Sequence, residues 1–290
     1  MLRVQGGIIP PIYLPISDGE GDRTTREALD AVVGYLAFLP GAPHDQWMTP
    51  ILLVPGLLCT AEIFAPQIAA LEPYGPVTVA DTLEGETIPE IAANILAHAS
   101  PRFALAGISM GGYICFEILR QAPERVIKLA LLDTTARPDT PEQTAQRRAL
   151  IALSRKVRFK TILGQMFTTL VHPAHRRNSH LRDIQTRMGL AVGIDGMARQ
   201  QEAIIARADS RPDLSNIAVP TLVLVGDKDP LTPPDRAEEM AAAIPEARLV
   251  IVPDCGHIST LEQPEAVNRA LIEWLREDRH SVVNSTPILR

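Results

Sequence analysis

Three kinds of residue in this chain could share one reaction: a serine between glycines, acidic residues after an apolar run, and a histidine in a glycine-containing loop. The serine is Ser109, in Gly107-Ile108-Ser109-Met110-Gly111-Gly112. The acids are Asp227 and Asp229, in "VGDKDPLTPP", and the histidine is His257, in "PDCGHISTLEQPE". A serine hydroxyl is a weak nucleophile near neutral pH. It becomes effective when a base takes its proton and an acid orients that base. Attack on a carbonyl carbon is the chemistry such a set would do. Each residue also has a plainer reading. The turn could bind phosphate or simply be tight, the histidine could be a loop residue without a role, and an aspartate could cap the helix that begins near Pro233.

The residues can meet only if the surrounding elements bring them together. From residue 48 the chain alternates short apolar runs with amphipathic segments. "ILLVPG", "VTVAD" (77–81), "FALAGIS", "VIKLALLDT" (126–134), "PTLVLVGDKD" (220–229) and "ARLVIVPDCGH" (247–257) read as strands. Their Val, Ile and Leu runs do not alternate with polar residues, which predicts strands buried on both faces. "IPEIAANILAHA" (88–99), "GGYICFEILRQAP" and "PEAVNRALIEWLRED" (264–278) read as helices. Strands alternating with helices predict an α/β fold with a doubly wound, mostly parallel sheet. Ser109 then lies where a strand hands over to a helix, the setting of a nucleophile elbow. Small neighbours let that turn close, and the helix N-terminus points its N–H groups at the same place. His257 is the only one of the seven histidines that directly follows a strand end. Asp227 and Asp229 both leave the end of their strand. Asp229 is the stronger candidate, because Pro230 and Pro233 stiffen its loop; Asp227 is the alternative.

The rest of the chain bounds the reading. It has 290 residues, 46% of them hydrophobic and 21% charged, as in an ordinary globular enzyme. A net charge of −6 argues against nucleic acid as a partner. The three cysteines, Cys59, Cys115 and Cys255, make no CxxC or Cys/His pattern. Neither a disulfide framework nor a zinc site is indicated, which fits a cytoplasmic setting. No apolar run reaches the ~18 residues of a membrane span, so no membrane association is expected. Pro10, Pro11 and Pro15 interrupt the N-terminus, which does not read as a signal peptide. Residues 1–47 read as an N-terminal arm with one helix over "TTREALDAVVGYLAFL". A dimerisation helix, giving a homodimer, and sequence upstream of a start at Met48 are the alternatives. Residues 48–135 and 216–280 form the predicted core, 136–215 a helical cap inserted between strands, and 281–290 a tail. The cap would lie over the carboxyl ends of the strands, where open α/β sheets bind ligands.

Taken together, "PGLL", "GISMGG", "GDKDPLTP" and "DCGHISTLEQPE" resemble the α/β-hydrolase superfamily over residues 48 to about 278. Within it the chain is most similar to small microbial esterases and lactonases of the 3-oxoadipate enol-lactonase type. The order Ser, Asp, His, each at a strand end, is the one that superfamily uses. The family pattern G-x-x-D-x-x-x-P falls on Gly226, Asp229 and Pro233, and the family histidine falls on His257. The resemblance therefore implies a catalytic triad of Ser109, Asp229 and His257. It implies an oxyanion hole made by the backbone N–H groups of Met110 and Leu57. Pro55 stands where the family usually has histidine, and "DTLEGETIP" replaces the common Asp-x-x-G-x-G loop.

The implied activity is hydrolysis of a small carboxylic ester or lactone through an acyl-enzyme, with no metal or organic cofactor. Perhydrolase or haloperoxidase-like chemistry and C–C bond hydrolysis would use the same triad. A non-catalytic ligand receptor is the reading from another class. Residues 137–199 carry twelve Lys or Arg against four Asp or Glu. A basic cap would favour an anionic substrate, although solvated outer helix faces would show the same composition. Leu163, Met166, Phe167, Met188 and Leu190 are candidates for an acyl pocket or for packing within the cap.

Overall fold

The computed structural model describes residues 49 to 277. The predicted N-terminal helix and the tail lie outside the described residues. Six strands form one wholly parallel sheet: β1 (Ile51–Val54), β2 (Val77–Val79), β3 (Phe103–Ile108), β4 (Val126–Leu132), β5 (Thr221–Gly226) and β6 (Arg248–Val252). Their spatial order is β2-β1-β3-β4-β5-β6. The chain moves outward from β1 to β2, returns past β1 to β3, and then advances steadily. The direction reverses between β1 and β3, and ligands collect at such a switch point.

The unbroken apolar runs have the meaning the sequence suggests in the inner strands but not at the two edges, where β2 is part-exposed along its length and β6 buries only Val252. Every residue of β1, β3 and β5 is buried. Alternate residues serve two separate cores. Leu52, Val54, Leu105, Leu129, Leu131, Val223 and Val225 face one side, and Ile51, Leu53, Ala104, Ala106, Ala130, Leu132, Leu222 and Leu224 face the other. The first core is closed by α2 (Ile88–His98), α3 (Met110–Gln121) and α7 (Pro234–Ala243), through Ile91, Ile95, Ile114, Ile118 and Met240. The second is closed by α1 (Ala65–Leu71) and α8 (Pro264–Arg276), through Leu71, Leu271 and Trp274. Right-handed crossovers place helices this way: the one connection that runs against the general direction puts its helix on the opposite face.

Local chemistry sets the helix starts. Thr87 caps α2, its hydroxyl accepting the N–H of Glu90 at 3.2 Å. Thr140 and Gln143 form a reciprocal capping box at the start of α4 (Pro141–Ser154). Between β4 and β5 the chain forms α4, α5 (Phe159–Leu170) and α6 (Ser179–Ile205), and no strand. α6 is broken at Gly193, where φ is 74° and ψ 176°. α5 and α6 approach closely at Gly189, where a Cβ would stand 2.5 Å from Leu163 Cδ2.

Candidate active site

Ser109 occupies the one-residue joint between β3 and α3, at φ 55° and ψ −117°. A side chain at that angle is strained by ~1–3 kcal/mol, so the surroundings must hold it. Its N–H donates to Leu132 O at 2.9 Å, and its carbonyl accepts the Thr134 hydroxyl at 2.7 Å and the Gly112 N–H at 2.9 Å. The doubled glycine follows from the same crowding. A Cβ on Gly111 would lie 2.0 Å from Val54 O, and one on Gly112 would lie 2.4 Å from Thr134 Oγ1. The first obstacle is backbone of a central strand and cannot swing aside. Gly111→Ala is expected to destabilise the fold by ~3 kcal/mol or more, read as a lowered urea midpoint.

The structure brings Ser109, His257 and Asp229 into one chain of hydrogen bonds. Ser109 Oγ lies 2.8 Å from His257 Nε2, and His257 Nδ1 lies 2.7 Å from Asp229 Oδ2. His257 and Asp229 are only 4% and 2% exposed, so water does not compete for these contacts. Asp229 is held by its own loop. The N–H groups of Leu231 and Thr232 donate to Oδ1 at 2.8 and 3.0 Å, and the Thr232 hydroxyl donates to Oδ2 at 2.7 Å. Asp227 points elsewhere: its Oδ1 accepts the Cys255 N–H at 3.1 Å, and Lys228 lies 3.6 Å from its Oδ2. The geometry thus separates the two aspartates.

Burial pushes the imidazole of His257 toward its neutral form. The charge and hydrogen bond of Asp229, joined by the charges of Asp133 and Glu262, outweigh burial and hold its pKa above the usual histidine value. Burial also pushes Asp229 upward, but the imidazolium and the hydrogen bonds from His257 and Thr232 win and hold its carboxyl below the usual range. Cys59 shares the cavity, but burial raises its thiol to about 12, so it stays protonated at neutral pH.

Leu57 and Leu58 follow β1 beside the serine. The N–H of Leu58 is committed to Gln200 Oε1 at 3.0 Å, and Gln200 in turn donates to the Thr82 hydroxyl at 3.2 Å. Leu57 lines the cavity with Ser109. Met110 opens α3, and the first N–H groups of a helix have no partner within it. Its side chain is wholly buried in the core.

Two buried carboxylates that the motifs do not mark tie these loops together. Asp133, at the end of β4, accepts the N–H of Gly226 at 3.0 Å and that of Ser259 at 3.2 Å, bridging the loops that carry Asp229 and His257. Burial and the charge of Asp229 push its carboxyl up to about 8. Glu262 accepts the N–H groups on both sides of His257, from Gly256 at 3.0 Å and from Ile258 at 3.4 Å. Its other oxygen accepts the His172 N–H at 2.7 Å and meets His175 Nδ1 at 2.8 Å. Glu262→Ala strips the acceptor from all four donors. A loss of ~3 kcal/mol or more in unfolding free energy is expected from denaturant titration.

The serine opens into a cavity of about 470 Å³ between the strand ends and α4–α6. Met166 and Met188 line it, whereas Leu163 and Phe167 are buried in packing and Leu190 is 43% exposed. No group of three or more His, Cys, Asp or Glu suited to a metal ion is found among the described residues. None of the described helices is long and apolar enough to cross a membrane.

A family model described as the alpha/beta hydrolase fold matches residues 86–264. The chain belongs to the alpha/beta hydrolase fold family. Among members of that family, a poly(3-hydroxyalkanoate) depolymerase of Ectopseudomonas oleovorans is 29% identical over 268 residues, covering 85% of this chain and 90% of its own. The 3-oxoadipate enol-lactonase 2 of Acinetobacter baylyi is 29% identical over 205 residues, covering 70% of this chain and 73% of its own. A thermophilic esterase from Thermogutta terrifontis, solved with malate bound, superposes with a TM-score of 0.70 at 32% identity, covering 79% of this chain and 89% of that one. The family match thus runs from just before α2 through β3 to β6, with the helices between β4 and β5 and the loops that carry Ser109, Asp229 and His257.

Proposed function

We propose that this chain is a serine hydrolase that cleaves small carboxylic esters or lactones through an acyl-enzyme, with residues 136–215 acting as a cap over the site. The observation that carries the reading is the relay from Ser109 Oγ to His257 Nε2 at 2.8 Å and from His257 Nδ1 to Asp229 at 2.7 Å. Ser109 attacks the carbonyl carbon while His257 takes its proton. Asp229 keeps the imidazole in the tautomer that presents Nε2 as acceptor, and stabilises the cation that forms. Charge builds on the carbonyl oxygen, which the amides of Met110 and Leu57 receive. His257 then hands the proton to the departing alkoxide. In the second half it activates water, which releases the acid and restores the serine. Similarity to proteins named as esterase, depolymerase and enol-lactonase supports an ester or lactone as the bond attacked.

The test is turnover of p-nitrophenyl acetate and a lactone panel by the purified full chain, with a fluorophosphonate probe mapped by peptide mass spectrometry. Hydrolysis together with labelling at Ser109 is expected. A folded protein that cleaves no ester or lactone and leaves Ser109 unlabelled would refute the proposal.

A further inference from the structure

The cavity that holds Ser109 has an uneven distribution of charge. Its wall carries four arginines, Arg137, Arg147, Arg207 and Arg236, and a single carboxylate, Asp139. Two of the arginines are neutralised from outside the cavity. Arg137 forms a two-pronged pair with Glu239 at 2.8 and 2.9 Å, and Arg236 lies 3.3 Å from Asp235. The other two share Asp139. Arg147 Nε reaches Asp139 Oδ2 at 2.6 Å, and Arg207 Nη1 reaches Asp139 Oδ1 at 2.6 Å. The trio is well removed from water: the side chains of Asp139, Arg207 and Arg147 are 1%, 5% and 23% exposed. Two guanidinium groups and one carboxylate leave one positive charge uncompensated in the wall. A buried charge is costly unless an opposite charge can approach it.

The cluster also has donors to spare, and they belong to the right residue. Arg207 is occupied: it donates to Asp139, to Ile204 O at 2.8 Å and to Arg137 O at 2.9 Å, and its guanidinium stacks 4.2 Å over the ring of Tyr113. Arg147 donates to Asp139 and to Gln201 Oε1 at 2.8 Å. A guanidinium carries five N–H donors in one plane, so Arg147, the most exposed of the three, retains two. Tyr113 stands on the first turn of α3, directly after Ser109, and so connects the cluster to the nucleophile. The same cavity wall carries apolar side chains, among them Leu57, Met166 and Met188.

We infer that Arg147, backed by Arg207, binds a carboxylate carried by the substrate at the far end from the scissile carbonyl. The inference rests on the hydrolase reading and names its substrate class: half-esters of straight-chain dicarboxylic acids. The apolar stretch takes the methylene chain, and the arginine fork takes the anion.

The experiment compares kcat/KM for monomethyl adipate and dimethyl adipate, which share the chain and the methyl ester and differ in one charge. p-Nitrophenyl acetate is run in the same preparation. The half-ester is expected to be favoured about tenfold or more, and Arg147→Gln to bring the ratio close to one, chiefly through KM. Arg147→Lys should restore part of the preference, since it returns the charge without the fork. Arg147→Gln leaves the Asp139–Arg207 pair in place. Should it still not fold, adipate inhibition of wild-type p-nitrophenyl acetate turnover decides: competitive inhibition by adipate and not by adipamide supports the subsite, and equal inhibition overturns it. Intact p-nitrophenyl acetate turnover with a wild-type ratio of one or less, or a ratio that Arg147→Gln leaves unchanged, overturns the subsite alone. Loss of all ester turnover in folded wild-type protein overturns the hydrolase reading with it.

Discussion

Ser109→Ala is expected to lower kcat for p-nitrophenyl acetate by about 10⁴-fold or more, with little change in the urea midpoint. Removing the nucleophile of a triad removes the covalent route and leaves only what the oxyanion amides and substrate binding supply. Stability should hold because the side chain takes part in one hydrogen bond, to His257, while the fixed parts of the turn are its backbone contacts to Leu132, Thr134 and Gly112. Alanine keeps the same strained angle, φ 55°. Ser109→Gly should be equally inactive yet more stable than Ser109→Ala by about 1 kcal/mol, because glycine adopts that angle freely. Steady-state rates and denaturant titrations on the same preparations check both halves. A variant that keeps more than a hundredth of wild-type activity would show that Ser109 is not the nucleophile.

Asp229→Asn should lower kcat about 10³- to 10⁴-fold and also move the pH profile. The base must be neutral to accept the serine proton, so activity rises with pH through the His257 pKa. In the wild type that rise should be centred above the usual histidine value, because the negative charge of Asp229 favours the imidazolium. With asparagine the attraction disappears while burial remains, and burial favours the neutral ring. The acid limb of kcat/KM should therefore shift to lower pH as the plateau collapses. Asp227→Asn removes the charge beside Lys228 while its amide oxygen still accepts the Cys255 N–H, and it should leave the acid limb in place. A profile that moves with Asp227 and not with Asp229 would reverse the assignment of the acid.

Much of this site was legible because each of its principal residues sits at a boundary between two kinds of sequence. Ser109 ends an apolar run that is buried throughout, and the glycines beside it have no room for a Cβ. Asp229 and His257 each follow a strand made of the same kind of run. Local pattern therefore carried them. The supporting groups have no such mark. Glu262 reaches His172, 90 residues away, and Gln200 reaches Leu58, 142 residues away. Both act on backbone N–H groups, which every residue offers, so only the folded chain identifies them. Asp133 reads as the polar end of a strand, and its partners arrive from two other loops. Thr232 differs: it lies three residues from Asp229 and was within reach of a turn argument. Residues 61–74 show no element by pattern, yet they form α1 between two 3₁₀ turns, Ala61–Phe64 and Glu72–Tyr74. The helix is only seven residues long and has Pro66 in its first turn, too short a stretch for periodicity to stand out.

The loop that carries His257 is bolted to the chain following α5. Its N–H donates to Leu170 O at 2.7 Å, and a Cβ on Gly256 would lie 2.5 Å from the N–H nitrogen of His172. The helices over the cavity are therefore not an interchangeable lid. A chimaera that grafted a relative's insertion between β4 and β5 would gain a new cavity wall, but it would also replace the residue whose carbonyl holds the His257 N–H. Transplants that retain residues 170–172 should give working hybrids, and transplants that replace them should give folded proteins with a misplaced histidine. In this protein, the shape of the cavity and the position of His257 are inherited together.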